Sequence, residues 1–216
     1  SKNELINLGI DPKIKNTTII NGCNQNLFKY RKRVSKSKKK KIVISSWSSN
    51  FNKGFDIYSY LDKNIDLNFY EVFFIGNSPI NFENISILPP MNHSDLALFY
   101  SNSDIYITAS LNDPCSNSLI EAISSGLFCI VRNSGGHKEI LNTNGLVFES
   151  EDDLINILNK KLFFETKKRD DLNIQNVSKK YIDFINSVDY RPTNFSLIVL
   201  LVLNYINAFL LSRLKK

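Results

Sequence analysis

A chain of 216 residues with 43% hydrophobic and 12% aromatic content can bury a proper core in one or two domains, which excludes a disordered class. The net charge of +6 owes much to one basic run, residues 31–41, and to the C-terminal tail. That run fits nucleic acid, a membrane surface or a solvated linker; it lacks interleaved aromatics, so we read a linker and expect no nucleic-acid partner. Cys23, Cys115 and Cys129 are odd in number and form no CxxC, which suits a reducing cytosol better than a disulfide framework. His93 and His137 have no metal-type spacing partners, so no metal site is expected from this chain alone.

In chain order, residues 1–9 read as a short helix with Ser1 as N-cap, Glu4 at the capping-box position and Gly9 at its end. The chain begins inside that element without a methionine, as a piece of a longer protein does, and no signal peptide is visible. Residues 17–20 are β-branched and predict a strand, followed by a tight turn at Asn21-Gly22. Residues 41–46 (KIVISS) predict a buried strand, and a polar loop from Trp47 leads to Lys53-Gly54. A helix is expected over 55–62 and a strand over 68–76, ended by Gly76-Asn77. A short strand over 85–88 stops at Pro89-Pro90, a helix runs over 94–100, and a strand over 104–108. A helix start at 119–123, a strand at 127–131 and a turn at Ser134-Gly135-Gly136 follow. A turn over 142–145, a strand over 146–148, a helix over 151–162 with an acidic first turn and a second helix over 167–187 complete this part.

This alternation predicts an α/β fold: a Rossmann-like parallel sheet with helices on both faces, plus C-terminal helices. Ligands in such sheets sit at the C-terminal edges of the strands, here the loops 47–53, 76–79, 110–118 and 133–136. The segment 195–212 differs, with eighteen uncharged residues followed by Arg213, Lys215 and Lys216. It fits a helix packed on a partner domain, an interfacial helix or an anchor at the lower length limit of a span, although Asn204 and Asn207 share one helical face.

The residues with chemistry cluster around Asp113 and Glu121. Two carboxylates can each accept hydrogen bonds from a vicinal diol. The plainer alternative is that Asp113 caps the helix, Glu121 faces solvent and Lys53 is a surface lysine. The surroundings favour a ligand. Ser116, Asn117 and Ser118 can present amides to an anion at a helix start, Gly135-Gly136 offers a second backbone turn, and Lys53 can neutralise a phosphate.

At these residues the sequence resembles the C-terminal, donor-binding domain of GT-B glycosyltransferases of the family 4, group 1 type, over roughly 17–162. The family's two-glutamate run, S-x-x-E-x-x-x-x-x-x-x-E-A, reads here from Ser110 through Asp113 to Glu121-Ala122. Ile20 to Asn24 resembles its I-x-N-G-x-D segment, Lys53-Gly54 its K-G, and Phe74-Ile75-Gly76 the strand bordering its base pocket. Ser103 to Ser110 resembles its A-D-x-x-x-x-P-S strand, and Ser134 to Glu139 its G-G-x-x-E turn.

The resemblance implies a metal-independent, retaining glycosyltransferase that takes a nucleotide sugar, a UDP- or GDP-sugar, as donor and needs no cofactor. The acceptor would be a glycan, a lipid or a protein. It implies catalytic roles for Asp113 on the sugar, Glu121 on the ribose and Lys53 on the diphosphate. Donor contacts are expected from Asn21, Gly22, Ser46, Trp47, Ser48, Gly54, Gly76, Asn77, Ser110, Cys115, Ser116, Asn117, Ser118, Gly135 and Gly136. It divides the chain into a hinge remnant (1–16), a nucleotide-sugar-binding unit (17–165) and C-terminal helices (166–216), the acceptor domain being missing. A cytoplasmic place follows, at a membrane face if 195–216 makes contact there. The sequence departs from the family in Asp113 for Glu, in Cys115-Ser116 for Phe-Gly, and in Trp47-Ser48-Ser49 where an arginine stands upstream of the lysine. Those departures leave open a non-catalytic nucleotide-sugar-binding module, and the two-domain architecture leaves open a sugar-nucleotide epimerase.

Overall fold

The computed structural model describes residues 16–32, 38–161 and 163–188. The expected helix over 1–9, part of the basic run and the apolar segment 195–212 lie outside these residues.

Six strands form one sheet, every neighbouring pair parallel. They are β1 (Lys40–Ser46), β2 (Tyr70–Gly76), β3 (Ser86–Leu88), β4 (Ile105–Thr108), β5 (Phe128–Arg132) and β6 (Gly145–Phe148), in the order β3-β2-β1-β4-β5-β6. Their apolar runs are continuous because both faces are covered. Ile42, Ile44, Ile105, Ile107, Phe128 and Ile130 point to one face, where they pack with Phe55, Tyr58 and Leu61 of α1 (Phe55–Asn64) and with Leu154 and Leu158 of α5 (Glu151–Lys160). The alternate residues Val43, Tyr106, Cys129 and Val131 point to the other face. There they meet α2 (His93–Ser101), α3 (Asn117–Ser124) and α4 (His137–Leu141).

The strand order reverses at β1. The chain runs outward from β1 to β2 and β3, then crosses back to lay β4 on the other side of β1. Loops leaving the C-terminal ends of β1 and β4 therefore diverge, and a crevice opens between them. The register is long between β1 and β2, where Lys40 pairs with Tyr70 and Ser46 with Gly76. Between β1 and β4 only Ile42–Ile105 and Val43–Tyr106 pair, which leaves room beyond Ile44.

Most predicted elements form within a residue or two of their expected bounds, with three differences. Residues 17–20 make no strand; the nearest ladder contact is a single parallel bridge between Cys23 and Asn173. β-branched propensity expresses itself only against a partner strand, and none lies beside them. The helix expected over 167–187 is shorter: a 3₁₀ turn at Asp170–Leu172 precedes α6 (Ile174–Ser187), whose N-cap Asn173 accepts from Gln175 N–H. Bridging to Cys23 holds Asn173 extended, so the helix cannot start earlier. The third is α4, which follows the expected turn at Ser134-Gly135-Gly136 over residues where no element was expected. A segment that short has too few positions for a helical period to register. Among the described residues no helix is long and apolar enough to cross a membrane.

Candidate functional site

Loops 47–53 and 109–116 meet across the crevice. Asn50 caps a 3₁₀ turn, Phe51–Lys53, by accepting from Asn52 N–H, which sets Lys53 at the turn's end. Leu111 N–H donates to Asn52 O at 2.7 Å and so ties the two loops. Lys53 Nζ reaches Asp113 Oδ2 at 3.3 Å, and Asp113 Oδ1 accepts from Cys115 N–H at 3.2 Å.

The turn at 134–136 supports the acidic loop from behind. Ser134 Oγ accepts from Asn112 N–H at 2.9 Å, and Gly136 N–H donates to Asp113 O at 2.9 Å. Gly135 has φ +57°, and a Cβ there would overlap the Asp113 carbonyl. Gly135 and Gly136 lie against the backbone of Asp113 and Pro114 and line neither of the two cavities beside the acidic loop.

The helix cap is Ser116, whose Oγ accepts from Leu119 N–H, so Asp113 is not the N-cap. The first amides of α3, at Asn117 and Ser118, have no partner within the helix by its geometry and sit at its positive end. Tyr106 OH donates to Ser118 Oγ at 2.9 Å, fixing this start to β4. One turn on, Glu121 lies on the buried side of α3, not in solvent, with its side chain 14% exposed. Burial pushes its carboxyl up to about 7. His93 Nε2 stands 3.9 Å from its Oε1, beyond hydrogen-bond range.

A cavity of ≈ 450 Å³ joins these groups. Of the expected residues, Ser46, Trp47, Ser48, Lys53, Ser110, Asp113, Cys115, Ser116, Asn117, Ser118 and Glu121 line it. Among the described residues Lys53 is the one lysine or arginine on its wall. Asn21 and Gly22 instead line an adjoining cavity of ≈ 510 Å³, together with Phe28, Tyr181 and the shared wall of His93, Asn117 and Glu121. Asn21 still touches the acidic loop, since its N–H donates to Cys115 Sγ at 3.4 Å and its Nδ2 to Asn117 Oδ1 at 3.0 Å.

Gly54, Gly76 and Asn77 line neither cavity. Gly76, at φ +128°, lies against the Ser46 carbonyl, where any side chain would collide. Asn77 Nδ2 donates to Trp47 O at 2.7 Å, so this pair shapes the Trp47 loop.

Sequence reasoning missed Ser45, Met91, His93 and Leu96, which complete the wall. Three of them follow β3, whose outgoing loop was not counted among the C-terminal edge loops; the same edge rule applied to it finds them.

A crevice at the switch point of a six-stranded parallel sheet is the architecture of the GT-B glycosyltransferases, and solved members share this fold. Sucrose-phosphate synthase from Thermosynechococcus elongatus superposes with TM-score 0.58 at 16% identity, covering 98% of this chain and 57% of its own. The lipopolysaccharide outer core galactosyltransferase WaaB does so with TM-score 0.67 at 14% identity, over 86% and 59%. Alr3699/HepE from Anabaena, solved with UDP-glucose, gives 0.65 at 14% identity, over 87% and 61%. The chain thus spans roughly three-fifths of each of these structures. Residues 80–176 match the family of glycosyl transferases group 1, a segment that holds Asp113 and Glu121. No curated protein matches the sequence.

Proposed function

We propose that this chain is the donor-binding half of a glycosyltransferase that moves a sugar from a UDP- or GDP-sugar to a glycan, lipid or protein acceptor. The observation that carries this is Glu121: a largely buried carboxyl group with no hydrogen-bond partner among the described residues, opening on the same cavity as the Lys53–Asp113 pair. Its oxygens open on the cavity, where a ligand's vicinal diol supplies two donors.

The ligand then runs along the crevice. Glu121 holds the ribose. Lys53 and the first amides of α3 face the diphosphate, where negative charge grows as the sugar leaves. Asp113, one methylene shorter than the family's glutamate, orients the sugar while Lys53 steadies it. Transfer is metal-independent and retains the anomeric configuration. The unit over 17–165 binds the donor, 166–216 crosses back, and the acceptor approaches from a domain upstream of residue 16. The work is cytoplasmic, with 195–216 available to a membrane face.

Thermal-shift titration of the full chain with UDP- and GDP-sugars tests the reading. One series should raise the melting temperature, and Glu121→Ala should abolish that rise; an undiminished rise in the variant sinks the assignment. Lys53 as the single lysine or arginine on that wall among the described residues favours a second reading, a module that binds without turnover. Donor hydrolysis by the full-length protein, acceptor domain included, separates the two.

A further inference from the structure

His93 is the residue of the crevice that the donor reading leaves without work. It opens α2, its side chain is 73% exposed, and with Asn117 and Glu121 it forms the wall common to both cavities. Phe28, buried in the core, meets the imidazole edge-on at 6.5 Å between ring centroids. Its Nε2 stands 3.9 Å from Glu121 Oε1. That gap is too long for a direct hydrogen bond. It suits a third atom placed at ordinary hydrogen-bond distance from both.

Position along the crevice says which part of the ligand this is. The Lys53–Asp113 pair marks the anionic end, and Glu121 lies toward α2. Met91 and Leu96, on either side of His93 in sequence, add apolar groups to the same wall. Such groups suit a flat, weakly polar ring whose attached diol lies beside Glu121.

Resting on the donor reading, we propose that His93 is a second nucleoside-binding residue: His93 Nε2 and the Glu121 carboxylate share one ribose hydroxyl of a nucleoside diphosphate. The imidazole N–H donates to the hydroxyl oxygen, and the hydroxyl donates to the carboxylate. The hydroxyl is thus satisfied in both of its roles. An aldose phosphate without a nucleoside gains nothing from His93.

Isothermal titration of the full chain with UDP, GDP and inorganic pyrophosphate tests this, together with the 2′-deoxy and 3′-deoxy forms of the nucleotide that binds. His93→Ala should weaken the ribonucleotide by about three- to tenfold and leave pyrophosphate unchanged. The penalty for deleting the shared hydroxyl should shrink by a similar factor in the variant, since the two changes remove one interaction. His93→Gln, which keeps an N–H donor, should recover part of the loss. Unchanged ribonucleotide affinity in His93→Ala overturns the proposal, and so does an equal loss for pyrophosphate. A wild-type chain that binds neither UDP nor GDP overturns the donor reading itself, and the role of His93 with it.

Discussion

At the scale of single residues, Glu121 carries the clearest physical signature. Desolvation alone raises its carboxyl from 4.5 to about 7. Between those values the folded chain holds a proton that the unfolded chain has released. Stability is therefore full below the lower value, falls as pH rises through the window, and stays reduced above it. Glu121→Gln removes this titration without changing the shape. It should stabilise the chain by about 1–3 kcal/mol near pH 8 and leave it unchanged near pH 4, read from denaturation midpoints at both. A difference that does not depend on pH contradicts the assignment. Diol binding draws on the ionised form, so the same burial that costs stability favours a ligand with two hydroxyl donors. The carboxylates and Lys53 were legible because their spacing carries the family pattern. His93 was not, because its relevance comes from meeting Glu121 across α2 and α3, which no local pattern encodes.

At the scale of elements, the site is a set of loops held by backbone contacts. The acidic loop is tied on one side to Asn52 and on the other to the turn at Ser134–Gly136. That explains why two glycines expected to touch the ligand stand behind the loop instead. Gly135→Ala forces a residue with a Cβ into φ +57° against the Asp113 carbonyl. Both terms oppose the native loop, so we expect a loss of about 1–3 kcal/mol and weakened donor binding, since Asp113 and Lys53 part company. Parallel thermal and ligand titrations check it; unchanged binding in the folded variant contradicts the supporting role. The strands were readable because continuous apolar runs such as IVI in β1 have one explanation, burial on both faces. The 17–20 segment was misread because a run of β-branched residues cannot show whether a neighbour exists to pair with. The five-residue α4 was missed for lack of length.

At the scale of the whole molecule, the two ends of the described chain meet. Cys23 N–H donates to Leu172 O at 2.9 Å and Ile174 N–H to Cys23 O at 3.0 Å, a two-bond splice between the incoming segment and the 3₁₀ turn before α6. Gln25 Nε2 adds a bond to Arg169 O at 2.7 Å. Leu172 is fully buried and joins Cys23, Phe28 and the apolar residues of α3 and α4 in one cluster. The splice therefore shares its core with the helices that carry the site. Leu172→Ala leaves a cavity at that junction and should cost about 2–4 kcal/mol. Trp47, the single tryptophan, stands 65% exposed at the rim of the crevice, far along the fold from Leu172, and gives an independent probe. If the ends are part of one cooperative unit, far-UV ellipticity and Trp47 fluorescence shift together to the same lower midpoint. A lower midpoint in ellipticity alone, with the Trp47 transition unmoved, means that the splice frays by itself and the sheet with its crevice stands without it.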